Sequence, residues 1–218
     1  MKPVSTEAGQ ALQLAVMDEV RPLRGGPFWP DVITKIAQRY RFVSPVPTDP
    51  AQPAKFQVGV LELNDMTIPI ISLEIYNDGV VINARHTDDA DAVMDDFIAW
   101  SMATLKLRES TTKIPRQYVS QVIVDLDGEL NMFMRNFDAL SSVISKAFGT
   151  QHTLHISRLA IGTEPIAGIP LARSTWQIEP RIGQPIASNC RYFSTAPIPT
   201  SAHFDLLATL EATVMERG

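Results

Sequence analysis

Two aspartates, Asp125 and Asp127, have the residue type and spacing closest to a catalytic arrangement in this chain. They follow the apolar run Val122, Ile123 and Val124 and stand directly before a glycine. Carboxylates at the end of a strand can bind a divalent cation, and they can act as nucleophile and general acid or base. The same pattern is typical of a strand that ends in an Asp-Gly turn before a helix. The sequence leaves both interpretations open.

The eight residues from Val122 to Glu129 resemble the first motif of the haloacid dehalogenase-like phosphohydrolases. The resemblance implies that Asp125 is the nucleophile, that Asp127 is the acid/base and that a magnesium ion lies between the carboxylates and phosphate. Lys146 would be the downstream lysine that this family needs. The chain departs from the family at Glu129, where Thr or Val is usual, and it has no later acidic pair for the metal. A Mg-dependent phosphohydrolase is therefore the alternative function.

The remaining reactive side chains do not have the spacing of a metal or nucleophile site. On a strand, His152 and His155 would point to opposite faces, and the other two histidines are isolated in sequence. We therefore predict no metal and no cofactor. Cys190 is the only cysteine, so no internal disulfide can form. Five aspartates are typical of the solvated start of a helix, namely Asp88, Asp89, Asp91, Asp95 and Asp96.

The composition indicates a globular protein with little general attraction for polyanions. Apolar residues make up 45% of the 218 residues, charged residues make up 20%, and the formal net charge is -5. Nucleic-acid binding is disfavoured, because the nearest approach to a basic patch, from Lys106 to Arg116, is interrupted by Glu109. No segment has the apolar run of a secretory signal or a membrane span. These features predict a cytoplasmic protein with no membrane partner.

The N-terminal quarter is predicted to be a helical arm. A helix is expected over Leu12–Val20, and a second one begins at Pro30 and carries Ile33, Ile36 and Tyr40 on one face. Prolines at positions 45, 47, 50 and 53 then favour an extended connector. We therefore predict two parts, an arm with its connector at 1–54 and a main domain at 55–218.

The main domain is predicted to be a mainly antiparallel sheet covered by amphipathic helices, so the fold class is α+β. Asn77, Asp78 and Gly79 indicate a hairpin turn between two strands. Thr87 is expected to cap the helix that follows it, and another helix carries Leu140 and Ile144 on its apolar face. The order strand, turn, strand, helix occurs over Ile68–Leu105 and again over Trp176–Met215, which raises the hypothesis of an internal duplication.

The leading functional hypothesis is a non-enzymatic interaction or assembly subunit that associates with itself or with another protein. Phosphate-binding loops, dinucleotide fingerprints, serine-hydrolase elbows and zinc-protease motifs do not occur in the sequence. The interface candidates are Phe28, Trp29 and Phe42, which are large apolar residues in the predicted arm. A sheet edge or an exposed helix face would then meet the partner.

Overall fold

The computed structural model describes residues 1–22, 26, 28–43, 53–63, 66–127, 130, 137–148, 154–162, 175–181 and 190–215. Within these residues the chain forms eight strands: β1 Lys2–Leu14, β2 Ala54–Leu63, β3 Met66–Tyr76, β4 Gly79–Ala84, β5 Gln117–Asp125, β6 Leu159–Gly162, β7 Thr175–Pro180 and β8 Arg191–Ala196. It also forms five helices: α1 Met17–Val20, α2 Trp29–Arg39, α3 Thr87–Leu105, α4 Phe137–Phe148 and α5 Thr200–Met215.

The N-terminal segment is a strand, so the predicted fold class, an α+β domain with an N-terminal helical arm, is wrong. β1 pairs antiparallel with β4 from Gly9 to Leu14, where the sequence predicts a helix from Leu12 onward. Only α1, a helix of four residues, lies in that region. The architecture is dominated by antiparallel strands, and β1 is part of the sheet.

The chain divides into two compact units. The first unit comprises Thr6–Ser120 with Pro197–Thr200, and the second comprises Met1–Ser5, Gln121–Ala196 and Ser201–Gly218. Residues on both sides of the predicted boundary after position 54 contribute to one core, since Tyr40 and Phe56 are both fully buried in the first unit. The boundary itself stays a prediction.

The sheet of the first unit has the strand order β2-β3-β4-β1 and two distinct faces. A fully buried apolar row crosses all four strands, formed by Phe56, Leu73, Ile82 and Ala11 in register. The neighbouring row on the other face is polar: Gln10 donates to Asn83 at 2.9 Å, and Asn83 donates to Ser72 at 2.8 Å. This alternation is the two-residue period of a strand with one face toward the core.

Helices α2 and α3 contribute to the same core as the buried face of this sheet. α2 buries Val32, Ile33 and Ile36, which follow one another at helical spacing, as the sequence predicted for the last two. The predicted hairpin is also confirmed, with Tyr76 paired to Gly79 and the turn at Asn77 and Asp78. The proline-initiated helix is therefore part of the core of the first unit.

The beginning of α3 is held by Thr200, the first residue of α5. The Thr87 and Thr200 side chains are both buried, and each hydroxyl accepts the other residue's backbone N–H, at 3.2 Å to Thr200 Oγ1 and 2.7 Å to Thr87 Oγ1. The sequence predicts that Thr87 caps its own helix, but its side chain caps α5 instead. Each of these two helices thus begins with a reciprocal cap between residues far apart in sequence.

The second unit has the strand order β5-β8-β7-β6. Among the described residues, and apart from the four-residue α1, its order along the chain repeats that of the first unit: one strand, a helix, three strands and a closing helix. In both units the edge strand is the one that follows the first amphipathic helix, β2 after α2 and β6 after α4. The repeated strand, strand, helix order noted in the sequence is confirmed within the described residues.

No described helix is both long enough and apolar enough to cross a membrane.

Candidate functional site

Asp125, the last residue of β5, is engaged by Arg191 at the start of β8. The Arg191 guanidinium donates from Nε to Oδ1 at 2.6 Å and from Nη2 to Oδ2 at 2.9 Å, which is a bidentate ion pair. This contact lowers the pKa of the Asp125 carboxyl below its ordinary value. Because both carboxylate oxygens accept from one arginine, this conformation gives Asp125 the role of a strand-end anchor. The nucleophile role implied by the resemblance stays a prediction.

Asp127 lies beside Asp125 in sequence but in a different environment. Its side chain is 72% exposed, and its backbone N–H donates to Glu211 Oε1 at 2.7 Å. Glu211, on α5, is buried and also accepts a hydrogen bond from the Met1 ammonium, whose pKa this contact raises. Sequence reasoning missed Glu211, although its place four residues after the buried Leu207 on a helix is a signal of inward orientation.

A serine and a histidine meet in the second unit, but without the geometry of a nucleophile. Ser194 Oγ lies 2.9 Å from His203 Nε2, and both residues are fully buried. The Ser194 hydroxyl donates its single proton to the Gln177 carbonyl at 2.9 Å, so His203 Nε2 must donate to Ser194. The histidine therefore does not act as a base toward this serine. The contact ties α5 to the sheet.

The acidic residues of α3 are largely paired with basic and phenolic groups. Arg116 donates to Asp91 and to Asp95, each at 2.7 Å. Arg39 and Tyr40 both donate to Asp96, at 2.6 and 2.8 Å for the shortest contacts. Across the described residues, no group of three His, Cys, Asp or Glu side chains could hold a metal ion. These aspartates join α3 to α2 and to the segment before β5.

The three predicted interface residues have different environments. Phe28 precedes α2 and is 68% exposed. Trp29 is half-buried against the core, and Phe42 stacks on Phe56 with ring centroids 5.2 Å apart. Phe42 also fills the space beside Gly59, where a Cβ would lie 2.5 Å from its ring. Of the three, Phe28 has the greatest exposure toward a partner, and the interface assignment itself stays a prediction.

Helix α4 carries exposed apolar side chains along one face. None of its side chains at positions 138–147 is buried. Val143 is 67% exposed and Leu140 is 43% exposed, and Ala139 and Ala147 are exposed beside them. Residues 139, 143 and 147 are spaced by four, and Leu140 adjoins them, so the four share one face of the helix. We call these four residues the α4 stripe.

The short edge strand β6 presents a second uncovered apolar position in the same unit. Ile161 pairs with Trp176 and Leu159 pairs with Ile178 across the β6-β7 ladder, so these four side chains share one face of the sheet. Trp176 and Ile178 are buried, whereas Ile161 is 58% exposed. The apolar face therefore continues to the edge of the sheet and is uncovered there.

No protein-family model matches this chain, and no curated protein matches it in sequence.

Proposed function

We propose that this protein is a non-enzymatic assembly subunit that associates with copies of itself. The observation that carries the proposal is the α4 stripe, an apolar helix face without cover in the single chain. Scattered exposed apolar residues are ordinary in proteins, but four adjacent ones along one face of a helix are typical of a surface that meets a partner.

The contrast with α2 supports this interpretation. α2 occupies the same place in the order of the first unit and buries Val32, Ile33 and Ile36. α4 also separates apolar from polar residues, yet none of its described side chains at positions 138–147 is buried. Burying apolar surface stabilises by about 25 cal/mol per Å². Cover for the α4 stripe would therefore lower the free energy of an associated state.

The groups that looked most able to do chemistry also support a structural role. Asp125 is paired with Arg191, and the Ser194 hydroxyl donates a hydrogen bond to the backbone carbonyl of Gln177. Asp91 and Asp96 are engaged by arginines of their own unit. Each of these contacts joins two elements of the fold, which is the role expected in a subunit whose surface provides the function.

The test is the solution mass of the full-length protein, measured by size-exclusion chromatography with light scattering over a range of concentrations. We expect a dimer or larger species that dissociates on dilution. A single species with the mass of one chain at every concentration would contradict the proposal.

A matched pair of substitutions locates the association on the stripe. Val143→Asp places a charge in the apolar surface and should weaken association tenfold or more, since burying an unpaired charge costs more than ~1.4 kcal/mol. Ser142→Asp adds the same charge at the adjacent, exposed position outside the stripe and should leave the association nearly unchanged. Equal effects of the two variants would argue against the stripe as the contact.

A further inference from the structure

We propose that two copies of this chain exchange helix α4, so that the α4 stripe of each copy covers the exposed face of β6 in the other. This inference rests on the proposed self-association and names its surfaces. It joins the two uncovered apolar features of the second unit, Val143 with Leu140 on the helix and Ile161 on the edge strand. Packing the α4 stripe on β6 would bury both features at once.

The first unit shows what covers its own edge strand. There, the helix that precedes the edge strand packs in one core with it: Val32 and Ile36 of α2 are buried in the same cluster as Phe56 and Leu61 of β2. In the second unit α4 precedes β6 in the same order, but Leu140 and Val143 of α4 and Ile161 of β6 are exposed. The exposed face of β6 can therefore accept α4 in the way that β2 accepts α2.

Charges at the corresponding places fit the same contact. In the first unit Arg39, in the last turn of α2, pairs with Asp96 of α3. In the second unit Lys146 lies in the last turn of α4, and Asp205 is exposed on α5. Asp96 lies nine residues after the start of α3 at Thr87, and Asp205 lies five after Thr200. The difference of four is about one helical turn, so both acids lie on the corresponding side of their helix.

The connection to β6 favours a second copy over the chain's own helix. Ten residues, 149–158, join α4 to β6, whereas fourteen, 40–53, join α2 to β2. Ile161 on β6 is exposed in the single chain, so the chain's own α4 does not cover it there. A short connection between two elements favours their exchange between copies over docking within one chain.

The test uses single cysteines on the two surfaces. Two differently tagged chains, both with Cys190→Ser, carry Val143→Cys and Ile161→Cys respectively and are co-expressed so that mixed dimers can form. Mild oxidation should give a disulfide that links the two tags. Each variant oxidised alone should cross-link at least tenfold more slowly, because helix exchange pairs position 143 with position 161.

Two results would overturn the exchange. One is a chain carrying both cysteines that forms only an internal disulfide, because α4 would then cover its own β6. The other is cross-linking of Val143→Cys alone at the rate of the mixture, because two α4 helices would then contact each other. The solution mass decides self-association separately from both results, and a monomeric mass at all concentrations would remove both proposals together.

A charge reversal provides an independent check on the association constant. Lys146→Asp alone and Asp205→Lys alone should each weaken the dimer about two- to fivefold, as expected for an exposed ion pair. The double variant should recover most of the loss. Asp138→Lys reverses an exposed charge elsewhere on α4 and is the control, with little effect expected. Additive losses in the double variant would contradict the pairing of Lys146 with Asp205.

Discussion

His203 is a buried histidine with a neutral ring and a defined proton arrangement. It is fully buried, and its Nε2 donates to Ser194. Burial lowers the pKa of His203 from 6.5 to about 4, because the protonated ring would be a charge removed from water. The histidine is therefore neutral in the folded protein at pH values where an unfolded chain already takes up a proton.

This environment predicts a loss of stability in mild acid. His203 has a depressed pKa in the folded state, so its contribution is fully present above pH 6.5 and decreases as the pH falls from 6.5 to about 4. The decrease should total ~3 kcal/mol, from 1.36 kcal/mol per pKa unit. Urea unfolding curves across this range measure it. In His203→Gln the free energy of unfolding should depend less steeply on pH. The exposed His155→Gln variant should keep the pH dependence of the parent protein.

Asp125 and Arg191 give a second prediction at the residue scale. Asp125→Asn removes the charge from the bidentate pair and should lower Tm by a few degrees, because Arg191 loses its ionised partner. Asp127→Asn, at an exposed side chain, should leave Tm almost unchanged. Magnesium-dependent hydrolysis of p-nitrophenyl phosphate that Asp125→Asn abolishes would instead favour the phosphohydrolase alternative. Thermal melts and this assay distinguish the two roles.

At the scale of elements, β1 and α2 are structural parts of the first unit. β1 supplies the partner of β4, and α2 contributes Ile36 to the buried cluster, which Tyr40 joins four residues later. A chain that begins at Lys55 lacks both elements. We expect this truncated chain to lose its cooperative thermal transition and its near-UV circular dichroism. A cooperative transition at the Tm of the full chain would contradict this role.

The prediction of a helix over Leu12–Val20 was wrong because the local pattern there does not distinguish a helix from a strand. Leu12, Leu14 and Val16 alternate with other residues, but together with Ala11 and Ala15 they also fit a helical face. Pairing with β4 decides the outcome, since it buries Ala11 and Leu14. In contrast, α2 and the hairpin between β3 and β4 carry strong local signals, and the structure confirms both.

For the whole molecule, the sequence predicted where most later strands and helices lie but not what covers them. Ile36 of α2 and Leu140 of α4 look alike in sequence, since each belongs to an apolar helix face, yet Ile36 is buried and Leu140 is exposed. The contacts of Asp125 with Arg191 and of Ser194 with His203 depend on long-range packing, which no local pattern encodes. The exposure of the α4 stripe depends on tertiary packing and has no signature in the local sequence.

The hydrogen bonds between Thr87 and Thr200 can form only late in the synthesis of the chain on the ribosome. Thr87 and Thr200 are separated by 113 residues, so at about 5 to 20 residues per second roughly 6 to 23 seconds pass between their syntheses. During that interval the first turn of α3 lacks the hydroxyl that accepts the Thr87 N–H. The start of α3 therefore gains this hydrogen-bond acceptor only after Thr200 has been synthesised.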